Sequence, residues 1–107
     1  MLLVESLPEF SRELTQLLIA AGKPALAAQV DRLEIVAKCG CNDEFCASFY
    51  TAPKSERQAK DRWTLEVQPA EGMILLDVLG DTITFIEVLY RDDVREKLIP
   101  LSLEASR

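Results

Sequence analysis

The chain has 107 residues, of which 49% are hydrophobic and 28% are charged, so we expect one soluble domain over residues 1–107, large enough to bury a core without disulfide bonds. Its 18 acidic and 12 basic side chains give a net charge of −6, which repels a phosphate backbone and argues against nucleic-acid binding. The chain has no histidine, which excludes a serine–histidine pair and histidine-dependent metal hydrolysis.

The amino terminus carries no predicted targeting segment. Its short apolar run is interrupted by Glu5, and no basic residues precede that run. A signal peptide and a membrane anchor are therefore not expected. We predict a cytoplasmic protein without a membrane partner, in a compartment that keeps thiols reduced.

Apolar residues at helical spacing predict a first helix. They are Leu7, Phe10, Leu14, Leu17, Leu18 and Ala21. Ser6 and Glu9 fit a capping box, and Gly22 ends the pattern just before Pro24. A second helix starts at Pro24, so the two helices form a hairpin, and Glu13 is predicted to be exposed on the first of them.

In the next segment apolar residues occur at every second position, which predicts a strand. One face of it carries Leu33, Ile35, Ala37, Cys39 and Cys41. A loop over 42–45 and a return strand over 46–51 complete a predicted hairpin. In this register Cys41 faces Cys46 and Cys39 faces Ser48, which brings all three sulfurs to one face.

A surface loop is predicted over 52–61. The basic residues of this loop are Lys54, Arg57 and Lys60, and the next strand begins with a fourth basic residue, Arg62. Because Glu56 and Asp61 interrupt them, we interpret this stretch as a solvated surface and not as a phosphate site. From Arg62 to Gln68 the alternation predicts a strand that is buried on one side.

Two strongly apolar segments, 73–79 and 82–90, are joined by Gly80-Asp81 and predict a central hairpin that is apolar on both faces. Such a hairpin favours a homodimer or another protein partner. The segment 92–99 predicts a short helix, and 102–107 a frayed tail. The predicted fold is α+β: an N-terminal helical hairpin packed on a mostly antiparallel sheet of about five strands, with a short C-terminal helix.

Two carboxylates interrupt the apolar hairpin. With Leu79 opposite Thr82, Asp77 lies opposite Thr84 and Glu87 opposite Ile74, so the two acids are predicted to point to opposite faces and not to form a catalytic pair. Glu87 is expected beside Arg91. Trp63 and Tyr50 are interpreted as core aromatics because they alternate with polar residues.

All three cysteines lie in the segment C-G-C-N-D-E-F-C, residues 39–46. The first interpretation, which we favour here, is that they are small buried hydrophobic residues continuing the face of the strand. The second is a zinc site of Cys39, Cys41 and Cys46, with Asp43, Glu44 or water as fourth ligand, although the spacing lacks the usual second cysteine pair. The third is a redox pair of Cys41 and Cys46, against which Asp43 and Glu44 are expected to raise the thiol pKa.

Three segments carry a resemblance to a known group of proteins. Cys39-Gly-Cys with Cys46-Ala-Ser-Phe-Tyr50, then Gly72-Met-Ile-Leu-Leu-Asp-Val, and Ile86-Glu-Val-Leu-Tyr-Arg91 resemble a group of small bacterial proteins with a CGCxxxxCxSFY segment and an IEVLYR strand. The resemblance covers the second half of the chain. It gives a hint of fold and implies no activity.

The sequence therefore favours a small non-catalytic interaction protein of the cytoplasm, either homodimeric or the acidic partner of a larger protein. No enzyme activity, catalytic residue or cofactor is predicted. The alternative is a metal-binding or thiol-redox protein that uses Cys39, Cys41 and Cys46, with zinc as the metal.

Overall fold

The computed structural model describes residues 1–41, 43–53, 55, 60–103 and 105–106, with backbone only for the last two. The helical elements are α1 Leu3–Ser6, α2 Pro8–Ala20, α3 Pro24–Gln29, a 3-10 turn Val30–Arg32, and α4 Asp92–Leu98. The strands are β1 Ala37–Cys39, β2 Phe49–Tyr50, β3 Arg62–Val67, β4 Met73–Leu79, β5 Thr82–Leu89 and β6 Ala105–Ser106. Helices at the N-terminus and an antiparallel sheet confirm the predicted α+β fold and its short C-terminal helix.

The N-terminal helices form the predicted hairpin, with one difference at the start. A separate turn of helix, α1, precedes α2, and the residue before α2 is Leu7, which has no side-chain cap, so the predicted capping box does not form. Helix α2 ends where the sequence predicts, just before Gly22. Gly22 adopts a φ of 75°, its N–H binds the Ile19 carbonyl at 3.0 Å, and the Lys23 N–H reaches Leu18 O at 2.9 Å, which closes the helix in a Schellman motif.

The sheet has the strand order β3-β4-β5-β2-β1-β6. All neighbouring pairs are antiparallel except β1 with β6, which are parallel. The central position predicted for β4 and β5 is confirmed. Residues 105 and 106 pair with β1, so the prediction of a frayed tail is wrong there.

A β-bulge interrupts the β4–β5 hairpin between Asp77 and Val78. Leu79 pairs with Thr82 as predicted, but Asp77 pairs with Phe85 and not with Thr84. The extra residue, Thr84, is buried, and its hydroxyl donates a hydrogen bond to the Asp77 carbonyl at 3.2 Å. This contact ties the extra residue of the bulge to the opposite strand.

One face of the sheet packs on the helices and forms the core. Its fully buried residues in β4 and β5 are Ile74, Leu76, Val78, Ile83, Ile86 and Val88. Phe49 of β2 joins them, with its ring 6.1 Å from that of Phe10 in α2. Every second residue of β4 points to the other face, where Leu75 and Leu79 remain half-buried.

Gln29 at the end of α3 joins the helical layer to the turn of the β4–β5 hairpin. Its side-chain amide donates to the Asp81 carbonyl at 2.7 Å and accepts from the Ile83 N–H at 2.9 Å. The amide therefore replaces ladder partners at the end of the hairpin. Within the described part of the chain, no helix has the length and apolar character needed to cross a membrane.

Candidate functional site

The three cysteines lie on the hairpin formed by β1 and β2. Ala37 pairs with Tyr50 and Lys38 with Phe49, and the Cys39 N–H binds the Ser48 carbonyl at 3.0 Å. Continuing this register sets Cys41 opposite Cys46. The predicted hairpin register is therefore confirmed, and the three sulfur atoms lie within 4.8 Å of one another.

The cysteines do not continue the core. Leu33, Ile35 and Ala37 on this face of the strand are buried. The next two residues on the same face are not, because Cys39 is half-buried and Cys41 is exposed. The strand leaves the covered part of the sheet at this point, so the prediction of buried core cysteines is wrong for Cys41. All three are free thiols.

Ser48 connects the cysteine hairpin to the central strand β5. Its hydroxyl accepts a hydrogen bond from the Val88 N–H at 2.9 Å and from the Cys46 thiol at 3.3 Å. The Tyr90 N–H also donates to the Phe45 carbonyl at 2.8 Å, beside Cys46. These contacts fix the return strand, and with it the Cys46 sulfur, against the sheet.

The thiols differ in acidity although they are neighbours. Burial raises the pKa of Cys39 to about 12. The pKa of Cys41 is lowered, mainly because the backbone N–H of Asp43 donates a hydrogen bond to its sulfur. We expected Asp43 and Glu44 to raise that pKa. The Asp43 carboxylate does act in that direction, but its N–H outweighs it.

Neither acidic candidate for a fourth ligand joins the sulfurs. Among the described residues, the group of possible ligand atoms that includes the sulfurs contains only Cys39, Cys41 and Cys46. Asp43 lines the adjacent cavity, and Glu44 is exposed. A tetrahedral ion bound here would complete its coordination with a movement of Asp43 or with a ligand from outside the chain.

The bulge changes the positions of the two sheet carboxylates. Glu87 pairs with Leu75 and not with Ile74, so Glu87 and Asp77 lie on the same face, contrary to prediction. Asp77 accepts a hydrogen bond from Thr64 at 3.0 Å and lies 3.7 Å from Arg62. Arg91, which we expected beside Glu87, binds Glu13 and Asp93 instead.

The aromatic residues singled out in the sequence lie near the edges of the core. Trp63 is 38% exposed, donates from its ring nitrogen to Gly80 O at 3.1 Å, and lies below the Lys23 ammonium, so the prediction of a core position is wrong. Tyr50 is half-buried, with its ring 4.5 Å from that of Phe85. Lys54, Glu56 and Arg57 of the predicted basic loop lie outside the described residues, as does Asn42 of the hairpin loop.

One residue beside the cysteines was missed by sequence reasoning. Arg95 lines the same cavity as the three sulfurs and Lys38, the one basic residue next to them in the sequence. Arg95 belongs to α4, at least 49 positions from the cysteines, and no spacing rule connects the two segments. Only the packing of α4 next to the hairpin brings Arg95 to the cavity beside the thiols.

Comparisons of the chain with protein families, with curated proteins and with solved structures find no match. The resemblance to small bacterial proteins therefore stays a prediction.

Proposed function

We propose that this protein binds a thiolate-preferring metal ion, with zinc as the first ion to test, through Cys39, Cys41 and Cys46. The observation that carries the proposal is the convergence of three free sulfurs within 4.8 Å outside the fully buried core. Thiolate sulfur is the ligand that zinc and copper(I) prefer in proteins. The spacing C-x-C-x4-C brings two ligands from the first arm of the hairpin and one from its return arm.

The distances support this function. A tetrahedral zinc ion with zinc–sulfur bonds of about 2.3 Å needs sulfurs about 3.8 Å apart. Sulfurs within 4.8 Å reach that spacing by approaching one another by no more than about 1 Å, a small adjustment for side chains on a hairpin.

Local hydrogen bonds also support thiolate formation. Backbone N–H groups two residues along the chain point at two of the sulfurs: that of Cys41 at Cys39, and that of Asp43 at Cys41. Hydrogen bonds of this kind stabilise negative charge on sulfur and are among the contacts that tune metal–thiolate centres. Cys39 still binds its proton tightly, so metal binding must displace that proton.

The test is metal analysis of protein purified without chelator, followed by zinc titration of the metal-free protein. We expect one ion per chain. Cys41→Ser should weaken zinc binding about a hundredfold or more and leave the fold intact, because Cys41 is exposed. Ser6→Ala, in α1 and outside the lining of the cavity beside the sulfurs, is the control. Wild-type protein that stays metal-free after equilibration with zinc would contradict the proposal.

A redox role is the competing use of the same thiols. The lowered pKa and exposure of Cys41 favour it as a nucleophile, with Cys46 opposite as the partner in a disulfide. If mild oxidant forms this disulfide reversibly while zinc does not bind, the redox role replaces metal binding.

Self-association is a second candidate function, favoured by the outer face of the sheet. Leu75, Leu79, Phe85 and Leu89 are half-buried there, and Met73 is 38% exposed. Light scattering at micromolar concentration should report a dimer, and Leu75→Lys should abolish it. A wild-type monomer at every concentration would remove this candidate. We retain the cytoplasm as the proposed compartment because it keeps free thiols reduced.

A further inference from the structure

A cavity of about 290 Å³ lies beside the three sulfurs, between the cysteine hairpin and α4. The hairpin contributes Lys38, Asp43 and Ser48 to its walls, and α4 with the residue after it contributes Arg95, Leu98 and Ile99. Because the cysteines line the same space, a molecule in this cavity is adjacent to any ion that they bind.

Two basic side chains of the cavity have no acidic partner among the residues that the structure describes. Lys38 donates from Nζ to the Ile99 carbonyl at 2.7 Å, which leaves its charge without a carboxylate. Arg95 is half-buried, and the ion pairs found in the described part of the chain do not include it. In a chain with six more acidic than basic groups, two uncompensated cations at one cavity favour an anion, even though Asp43 lies at the same cavity.

The ligand set at the sulfurs is incomplete for a tetrahedral ion. The chain has no histidine, and the described ligand group has three members. Three protein ligands leave one coordination position for water or an external ligand. Sulfur is the external donor that matches a thiolate-preferring ion.

We propose that the cavity binds a small anionic thiol, that is, a thiol that also carries a carboxylate. This inference rests on the proposed metal-binding function. The thiol loses its proton to solvent, its sulfur forms a bond to the metal in place of water, and its carboxylate pairs with Arg95, near the Lys38 ammonium that is held by the Ile99 carbonyl. Such an exchangeable fourth ligand suits transfer of the ion to and from small thiols.

The test uses the full chain loaded with cobalt(II), whose thiolate charge-transfer absorption reports the number of sulfur ligands. Mercaptoacetate and its neutral amide, mercaptoacetamide, are titrated separately, and gel filtration checks that the protein retains cobalt. Each thiol should increase the absorption by one further ligand. Mercaptoacetate should bind about tenfold more tightly, the difference expected for one charge-assisted contact.

Arg95→Gln should reduce this preference to less than about twofold, and Arg95→Lys should restore most of it. Arg12→Gln, which removes a cation of α2 that does not line the cavity, is the matched control and should keep the full preference. Equal binding of the two thiols, no added thiolate band, or an Arg95→Gln variant that keeps the preference would overturn the inference while leaving the metal site. No cobalt absorption before thiol is added would overturn both proposals.

Discussion

Arg91 and Glu13 form a bidentate ion pair between the end of β5 and the middle of α2. The two guanidinium–carboxylate contacts measure 2.7 and 2.8 Å, and the residues lie 78 positions apart in the chain. Arg91 is 8% exposed and also binds Asp93 through two contacts of 2.9 Å. The hydrogen bonds that Arg91 donates to Glu13 and Asp93 raise its pKa, so its charge is held between two carboxylates at the boundary of the two layers.

Glu13→Ala should lower the free energy of unfolding by about 1 to 2 kcal/mol, because it leaves a buried guanidinium with only one of its carboxylates. The prediction from sequence that Glu13 is exposed is wrong, because its side chain is half-buried and binds Arg91. Glu9→Ala on the same helix is the control. Glu9 is 78% exposed and pairs with an exposed lysine, so we expect a change below about 0.5 kcal/mol. Equal denaturation midpoints for the two variants would show that the Arg91 pair contributes no stability.

A second stability prediction concerns Gly72, in the turn before β4. Its φ is 70°, and a Cβ atom placed there would lie 2.5 Å from the Leu89 carbonyl oxygen and 2.7 Å from the Arg91 side chain. Gly72→Ala should therefore cost about 2 to 4 kcal/mol. Gly22 has a similar φ of 75° with open space around it, so Gly22→Ala should cost only about 1 kcal/mol. Thermal unfolding of both variants compares the loss of stability from backbone strain plus close contact at Gly72 with the loss from backbone strain alone at Gly22. Similar losses would contradict the close contact.

The sequence predicted what depends on local alternation and missed what depends on packing between distant segments. The facing of Cys41 with Cys46 followed from a period of two across a short loop. The bulge at Asp77 was not visible, because segment 82–90 is apolar on both faces and its pattern does not show where the alternation shifts by one residue. The partners of Arg91 and the approach of Arg95 to the thiols require the helices to be positioned on the sheet, and no spacing within the chain encodes that position.

Zinc affinity should rise with pH in the neutral range. Cys39, with a pKa raised to about 12, is protonated there and must release its proton on binding, whereas Cys41, with its lowered pKa, releases less. We expect roughly a tenfold gain in affinity per pH unit for each thiol that is still protonated. Competition with a chelator at two pH values, together with calorimetry in buffers of different ionisation enthalpy, measures the protons released. An affinity independent of pH would contradict the thiol ligands.

Alkylation of the metal-free protein should begin at Cys41. It is the exposed thiol and the one whose pKa is lowered, whereas Cys39 is half-buried with a raised pKa. The protein is treated with timed pulses of iodoacetamide and then digested with trypsin. All three cysteines lie on one tryptic peptide, residues 39–54, and fragmentation of that peptide in a mass spectrometer locates the label. Bound zinc should slow the reaction at every position. Labelling of Cys39 as fast as Cys41 would contradict the acidity assigned here.

The short ladder of the cysteine hairpin has a consequence for the order of folding. β2 has two residues and joins β5 from more than 30 positions away, whereas β3, β4 and β5 follow one another along the chain with six, seven and eight residues. Local pairings form faster than distant ones, so the three long strands should assemble first and the cysteine hairpin should attach to them last. The last region to attach is commonly the first to open, so amide hydrogens of residues 37–50 should exchange sooner than those of β4. We therefore expect local opening of this part of the sheet to expose the thiols to solvent without unfolding the rest of the molecule.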